Sequence, residues 1–239
     1  MKVTIRLFGE LAELTNGKYV FEINPGVNQT IKDCIERLGI PHTEVYFIIK
    51  NRNFVDFSKI VQDGDCYFVY PQCDLPIPKE YVLTPKFEGE PRFVLDIHLG
   101  KLAKLLRMFG IYADYGLVDD ESIIKRAKEI KGIILTRDRK LLMRKDVIYG
   151  YIIRSDFPQV QFDEVLHRYD LRNWLKPFTR CLECNGNLEI VEKSIVNCLV
   201  PPRIFETHDK FAVCSQCGKI YWQGTHYEHM KELIKKFLE

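Results

Sequence analysis

Residues 93–110, FVLDIHLGKLAKLLRMFG, contain a change of hydrophobic period that decides the fold of the central segment. Phe93–Ile97 is an apolar run of strand length, and Asp96 stands near its end. The apolar residues that follow recur at helical spacing and stop at Gly110; they are Leu99, Leu102, Ala103, Leu106 and Phe109. This stretch therefore predicts a buried strand followed at once by an amphipathic helix.

The same alternation continues to about residue 176. Three further runs have the length and composition of strands: Tyr112–Val118, Gly132–Thr136 and Val147–Ile153. A second amphipathic helix is predicted over 123–130, between the first two of these runs. Because strands that alternate with helices favour βαβ crossovers, we predict an α/β segment over 92–176 with a mainly parallel sheet.

The first 72 residues have a different pattern. Two strands, a short helix over 31–38 and three more short strands are predicted, an order that resembles a ubiquitin-like β-grasp. Residues 73–91 contain four prolines and few periodic apolar residues, so we interpret them as a linker with one extended stretch at Tyr81–Leu83. The predicted divisions are 1–72, the linker 73–91, 92–176 and 177–239.

Length and composition describe a folded protein with a sizeable core. The chain has 239 residues, of which 46% are hydrophobic and 28% charged. No run of 18 apolar residues predicts a membrane span, and Lys2 and Arg6 bring charge too early for a signal peptide. We therefore expect a cytoplasmic protein that does not associate with membranes.

The formal net charge of +2 is unevenly distributed. Residues 1–90 contain 10 Lys and Arg against 13 Asp and Glu, a net charge of −3. Residues 91–239 contain 25 against 20, a net charge of +5. The second part can therefore meet an anionic partner such as nucleic acid.

Four of the eight cysteines form two C-x-x-C pairs, Cys181/Cys184 and Cys214/Cys217, with 29 residues between the pairs. Two such turns can present four thiolates to one ion, which is typical of a structural Zn²⁺ site. The alternative to a metal site is that the four cysteines are buried or redox-active thiols. Cys198 lies between the pairs and is expected to be a small core residue.

Acidic residues recur where the strands of the α/β segment are predicted to end: Asp96, Asp119 or Asp120, Asp138 and Asp156. Ligands of parallel sheets bind beyond the carboxyl ends of the strands, so these acids could share one cleft. Such a cluster requires a cation, and carboxylates favour Mg²⁺ or Mn²⁺. The alternatives are a helix N-cap for Asp119 or Asp120, and a surface ion pair with Arg137 or Arg139 for Asp138.

Several separated motifs also resemble the Mut-seven C-terminal RNase family over about residues 92–230. They are Val94-Leu95-Asp96, Leu99-Gly100-Lys101-Leu102-Ala103, Asp120-Glu121, Leu135-Thr136-Arg137-Asp138-Arg139 and the two cysteine pairs. The resemblance implies a PIN-like parallel-sheet core with a C-terminal zinc ribbon. It maps the catalytic acids onto Asp96, Asp120, Asp138 and, more weakly, Asp156, with the first three as ligands of Mg²⁺ or Mn²⁺. His98, two residues after Asp96, departs from the expected pattern, and we interpret it as a surface residue.

The N-terminal segment resembles the ubiquitin-like domain that often precedes that family. Its relatives among sulfur carriers end in Gly-Gly, whereas this chain continues through Tyr70-Pro71-Gln72-Cys73. A carrier role is therefore disfavoured, and we expect the segment to recruit a protein partner.

Basic and aromatic residues supply the candidate RNA contacts. Lys101, Lys104, Arg107, Arg137 and Arg139 are the predicted nucleic-acid-binding residues. Tyr221, Trp222 and Tyr227 could stack on bases, although packing around a small zinc core is the favoured interpretation.

These features predict a metal-dependent ribonuclease whose aspartates bind Mg²⁺ or Mn²⁺ and whose cysteines bind structural Zn²⁺. The alternative is a non-catalytic RNA-binding or adaptor protein that uses the ribbon and the basic face.

Overall fold

The computed structural model describes residues 1–238. Its contacts divide the chain into two compact units. The first unit consists of residues 1–89 and 118–154, and the second consists of residues 90–117 and the chain from 155 onwards. The α/β segment predicted over 92–176 thus contributes to both units.

The β-grasp segment, residues 1–72, contains β1 (Val3–Leu7), β2 (Val20–Ile23), α1 (Ile31–Arg37), β3 (Phe47–Lys50), β4 (Asn53–Val55) and β5 (Cys66–Tyr70). The strands form one sheet in the order β2-β1-β5-β3-β4, in which β1 and β5 are parallel. A capping box starts α1, since Thr30 and Asp33 bond reciprocally to each other's backbone N–H. The predicted β-grasp is confirmed.

Residues 73–89, which form most of the predicted linker, pack along the β-grasp segment. The N–H of Leu83 donates to the carbonyl of Tyr46 at 2.8 Å, and the rings of Tyr81 and Phe54 stack with centroids 4.5 Å apart. Lys79–Tyr81 is a short 3₁₀ helix, so the predicted extended stretch at Tyr81–Leu83 begins later than expected. The segment predicted as a linker is therefore fixed by contacts within the first unit.

A buried ion pair joins the β-grasp segment to the end of a parallel strand in the first unit. Glu44 is 1% exposed, and its carboxylate accepts the N–H of Ile152 at 2.8 Å and Nη2 of Arg154 at 3.0 Å. Burial by itself lowers the pKa of Arg154, but the charges of Glu44, Tyr151 and Glu10 and the hydrogen bond to Glu44 together outweigh burial and raise that pKa. Glu44 thus satisfies a strand N–H and a buried cation together.

The α/β segment begins with β6 (Arg92–Leu95), α2 (Gly100–Met108) and β7 (Tyr112–Tyr115) in the second unit. It continues with α3 (Asp120–Ile130), β8 (Ile133–Thr136), α4 (Arg139–Leu142) and β9 (Gly150–Ile152) in the first unit. β6 is parallel to β7, and β8 is parallel to β9. The predicted parallel α/β core is confirmed, with strands one to four residues shorter than the apolar runs.

The helix that follows Asp156 has no counterpart in the sequence prediction. α5 (Pro158–Arg168) starts with proline at its first position, which suits a helix N-terminus. It packs on α2, and the rings of Phe162 and Phe109 stack with centroids 4.2 Å apart.

The C-terminal part of the second unit contains β10 (Leu188–Val191), α6 (Pro202–Thr207), β11 (Phe211–Cys214), β12 (Ile220–Trp222) and α7 (Thr225–Leu238). The three strands form an antiparallel sheet in the order β10-β11-β12. Among the described residues, no helix has the length and apolar character needed to cross a membrane.

Candidate functional site

The four cysteines of the two C-x-x-C pairs come together in the second unit. Their sulfur atoms all lie within 4.8 Å of one another. Cys181 and Cys217 are separated by 3.6 Å between sulfurs, and Cys184 and Cys214 by 3.3 Å. Four sulfurs about 2.3 Å from a central Zn²⁺ would be about 3.8 Å apart in a regular tetrahedron. The predicted cluster is confirmed, and it can hold a metal such as zinc.

Each cysteine pair is built as a tight turn of the same kind. The residue after the second cysteine has positive φ in both turns, +67° at Asn185 and +70° at Gly218. Its N–H donates to the carbonyl of the first cysteine at 3.0 Å in both turns. Asparagine and glycine tolerate this backbone conformation, which explains why they follow the cysteine pairs.

Tyr221 on β12 supports the first turn. Its hydroxyl lies 3.1 Å from the sulfur of Cys181 and accepts the N–H of Leu182 at 3.1 Å. Burial raises the pKa of the Cys181 thiol, but hydrogen bonds from Tyr221 and nearby backbone groups outweigh burial and lower that pKa to about 6. Thiolate is the form that binds metal, so this environment favours a ligand.

Cys184 shows why the cluster requires a cation. Burial raises the pKa of Cys184, and its sulfur neighbours in the cluster raise it further, to about 12. Four thiolates at these separations repel one another unless a cation neutralises them. The donor set is therefore consistent with Zn²⁺ held by four sulfurs.

Arg107 lies inside the second unit, which corrects the prediction that it contacts nucleic acid. It is 4% exposed, and burial lowers the pKa of its guanidinium. Nε donates to the carbonyl of Ala113, and Nη1 donates to the carbonyls of Leu182 and Glu183. Six residues along a helix rotate a side chain by about 240°, so Arg107 cannot share the exposed side of Lys101. Arg107 instead joins α2 to the first cysteine turn.

Asn185 and Arg180 add further connections between the ribbon (residues 177–238) and the strand β7. The side-chain oxygen of Asn185, a buried residue, accepts the N–H of Ala113 at 3.1 Å. Arg180 donates to the carbonyls of Gly110 and Asn185. The cysteine turn is thus braced by hydrogen bonds to the α/β segment.

Asp96 and Asp156 belong to the second unit. Asp96 follows β6 directly, is 7% exposed and caps a short 3₁₀ helix at Ile97–Leu99. Its Oδ1 accepts the N–H of His98 at 2.8 Å, and the side chain of His98 is exposed, as expected. Asp156 stands just before α5 and is exposed.

Asp119 and Asp120 start α3 in the first unit, and the structure separates their roles. Asp119 is the N-cap, and its carboxylate accepts the N–H and the hydroxyl of Ser122 at 2.8 and 2.7 Å. Those hydrogen bonds lower the pKa of Asp119. Asp120 is the exposed first residue of the helix. Asp119 therefore takes the capping role that the sequence left open between the two.

Asp138 also belongs to the first unit and caps a helix. It follows β8 by two residues, and its Oδ1 accepts the N–H of Lys140 at 2.7 Å at the start of α4. Its own N–H donates to the hydroxyl of Thr136 at 2.9 Å. A carboxylate has about four acceptor positions, so one capping bond is compatible with metal binding. The convergence of the four acids stays a prediction.

The other basic candidates differ in exposure. Lys101 and Lys104 are exposed on α2, and Arg137 is exposed after β8. Arg139 is half-buried, with its guanidinium against the backbone of Gly39 in the β-grasp segment. Lys101, Lys104 and Arg137 are thus the members of the predicted set with the most accessible charge.

Trp222 and Cys198 were both expected to belong to the core of the ribbon, and the structure confirms this for Trp222 alone. Trp222 packs against the buried cluster of Val196, Val200 and Phe211, as the favoured core interpretation predicted. Cys198 is exposed and has φ of +64°, so the expectation that it belongs to the core was wrong. Cys198 lies in the loop after the 3₁₀ helix Lys193–Val196, with its sulfur 3.8 Å from the side-chain oxygen of Asn197.

The fold and the four-cysteine centre define an α/β protein with a zinc-ribbon module and a ubiquitin-like N-terminal segment. The model of the family described as Mut7-C RNAse domain matches residues 91–234, and the model described as Mut7-C ubiquitin matches residues 1–75. The chain therefore belongs to the Mut7-C RNAse domain family.

Solved structures similar to the chain overlap its N-terminal part. One is described as a molybdopterin converting factor subunit 1 from Pyrococcus furiosus, with 22% identity over 30% of this chain and 99% of that chain and a TM-score of 0.26. The small archaeal modifier protein 1 of Haloferax volcanii is 15% identical over 30% of this chain and 98% of that chain, with a TM-score of 0.27. No curated protein matches the chain significantly.

Proposed function

We propose that this protein is a metal-dependent ribonuclease. The observation that carries the proposal is the match of an RNase domain family across residues 91–234, where acids follow the parallel strands. Asp96 directly follows β6, and Asp138 follows β8 by two residues. Ligand sites of α/β proteins form beyond the carboxyl ends of parallel strands.

The proposed metal ligands are Asp96, Asp120 and Asp138, with Asp156 assisting the metal or the attacking water. Mg²⁺ or Mn²⁺ bound there would activate water and stabilise the leaving oxygen of a phosphodiester. Carboxylate oxygens suit these ions, and the burial of Asp96 favours a compensating positive charge. Lys101, Lys104 and Arg137 would attract the phosphates.

The test is cleavage of labelled RNA by the zinc-loaded protein with Mn²⁺. The Asp96→Asn plus Asp138→Asn variant should lose cleavage, because amides replace two anionic ligands. Asp163→Asn is the matched control, since Asp163 is an exposed acid on α5 that pairs with His167. Cleavage that persists in the double variant would exclude these residues as the catalytic acids.

A second candidate function is a non-catalytic RNA-binding or adaptor protein. The observation that favours it is the capping role of Asp96 and Asp138, which gives each acid a structural use. The ubiquitin-like segment suits recruitment of a protein partner. RNA retention that survives the double substitution, disappears on zinc chelation and occurs without cleavage would support this candidate.

A further inference from the structure

Two neighbouring grooves open on the second unit. The first has a volume of about 530 Å³ and lies between α2 and the start of α5. Its lining includes Lys101 and Lys104 from α2 and Phe157, which directly follows Asp156. Phe157 is 72% exposed, a high value for a large apolar ring that contributes little to the core.

The second groove lies on the ribbon and has a volume of about 570 Å³. Its lining includes Phe178, Tyr227, Arg180 and Lys210, together with Ile190, which is 90% exposed. The rings of Phe178 and Tyr227 pack against each other with centroids 4.5 Å apart, so they offer a rigid aromatic wall.

The two grooves adjoin each other. Met108, Leu182 and Met230 line both of them. Side by side, the two grooves form a path from Phe157, beside a proposed catalytic acid in the sequence, to the face of the ribbon sheet.

The charged and aromatic residues that line this path indicate which class of ligand it can bind. Among the described residues, the lining contains four cations and no carboxylate; the cations are Lys101, Lys104, Arg180 and Lys210. Glu183 approaches Lys104 at 3.9 Å from outside the lining, a distance at which an exposed ion pair is weak. Phosphates pair with such cations, while unpaired bases stack on exposed aromatic rings.

We propose that this path binds single-stranded RNA, with Phe157 stacking on a base and Lys101 and Lys104 contacting phosphates. The proposal rests on the ribonuclease function and specifies its substrate class. Duplex RNA keeps its bases stacked inside the helix, so it cannot supply a ring to Phe157. Phe157 is therefore a residue that selects unpaired RNA.

The test is binding of a fluorescent oligouridine of about 12 nucleotides, a length typical of single-strand sites, to the full zinc-loaded chain without Mg²⁺ or Mn²⁺. A blunt RNA duplex of the same length serves as competitor. Phe157→Ala should weaken oligouridine binding about 10-fold, and Phe157→Tyr should retain it, because either ring stacks. Lys101→Gln with Lys104→Gln should reduce the slope of log affinity against log salt by about 1.4.

Leu199→Ala is the matched control, because Leu199 is an exposed apolar ribbon residue outside both linings. It should leave affinity unchanged, and zinc content and Tm of every variant should match the parent. Equal binding of duplex and oligouridine, or unchanged binding by Phe157→Ala, would overturn the proposal.

The result of the oligouridine-binding test can be distinguished from the result of the RNA-cleavage test. If the parent binds oligouridine through Phe157 but Mn²⁺ produces no cleavage, the path is supported and the nuclease function fails. If Mn²⁺ produces cleavage with the same kcat/KM in Phe157→Ala, the nuclease function is supported and the path fails.

Discussion

Asp119 and Asp120 are adjacent acids with different surroundings. We predict that Asp119→Ala lowers the Tm, because the start of α3 loses the acceptor for the N–H of Ser122. Asp120→Ala should lower the Tm less than Asp119→Ala, since an exposed acid in the first turn acts through the helix dipole, and it should reduce RNA cleavage. Thermal unfolding and a cleavage assay on both variants check this separation. A Tm loss confined to Asp120→Ala would reverse the assignment.

The capping bond of Asp119 also has a pH dependence of known sign. Hydrogen bonds from Ser122 hold the pKa of Asp119 below its usual value. Its contribution to stability is therefore fully present above the unfolded pKa of about 3.9 and is lost as the pH falls through the lowered folded value. The Tm difference between the parent and Asp119→Asn should accordingly shrink on acidification below about pH 4. A difference that grows in that range would contradict the capping role.

Arg107 gives a prediction about the connection between α2 and the first cysteine turn. Its guanidinium donates to three backbone carbonyls, which a lysine ammonium on a flexible stem cannot reproduce. Arg107→Lys should therefore reduce the free energy of unfolding by about 2 kcal/mol, a typical loss for charged hydrogen bonds. Urea denaturation measures the change, with the exposed Lys101→Arg as control. Unchanged stability would show that the three bonds are dispensable.

The same residue shows what the sequence could and could not predict at this scale. The spacing of the four cysteines predicted their cluster, because each C-x-x-C turn is a local structure. Lys101, Lys104 and Arg107 suggested one basic row, yet Arg107 is buried and the two lysines are exposed. The position of Arg107 depends on hydrogen bonds to the carbonyls of Leu182 and Glu183. These acceptors are distant in the sequence, so the local pattern around Arg107 could not predict them.

At the scale of elements, the ribbon depends on its metal. The three-stranded ribbon sheet has a small apolar cluster of its own, built around Val196, Val200 and Phe211. Cores of this size seldom fold without a metal or disulfides. We predict one Zn²⁺ per chain, and its removal should open β10–β12 while the β-grasp sheet stays folded.

Hydrogen exchange before and after chelation checks that prediction. Amides of β11 should lose protection after zinc removal, whereas amides of β5 should keep it. Cys181→Ser should reproduce the effect, and Cys198→Ser should not, because Cys198 lies outside the cluster. Retained protection of β11 in the metal-free protein would contradict a structural zinc.

Elements with clear periodicity were predictable, and elements that depend on tertiary contacts were not. The run over 93–110 predicted β6 and α2 because its apolar residues change from strand to helical spacing. α5 was missed although Phe162, Val165 and Leu166 stand at helical spacing, because its buried face also contains the polar Gln161 and is covered by α2. Strand ends were overestimated, since an apolar residue can be buried outside the paired strand, as Val147 is before β9.

At the scale of the molecule, Glu44 and Arg154 attach the β-grasp segment to β9 within the first unit. Glu44→Gln should reduce the free energy of unfolding by about 3 kcal/mol, because it removes the buried anion and leaves Arg154 with Glu13, whose side chain is 62% exposed. Adding Arg154→Met should recover part of the loss, since the weakly compensated charge is removed. Urea denaturation of the two single variants and the double variant measures this coupling. Additive losses would show that the pair does not interact.

The total charge of +2 is the sum of an acidic first part of the chain and a basic second part. The acidic first 90 residues include the β-grasp segment, and the excess of +5 belongs to the part that would meet RNA. An excess of five over 149 residues is modest, so binding should depend on local cations such as Lys101 and Lys104 and on the bound metal ions.

Cleavage of single-stranded RNA in the presence of Mn²⁺ decides whether this protein is a ribonuclease. The zinc-loaded parent and Asp163→Asn should cut the RNA at comparable rates, whereas Asp96→Asn plus Asp138→Asn should show no cleavage while keeping its Tm and zinc content. Cleavage by the double variant at the rate of the parent, or no cleavage by the folded parent with Mn²⁺ or Mg²⁺, would contradict the ribonuclease assignment.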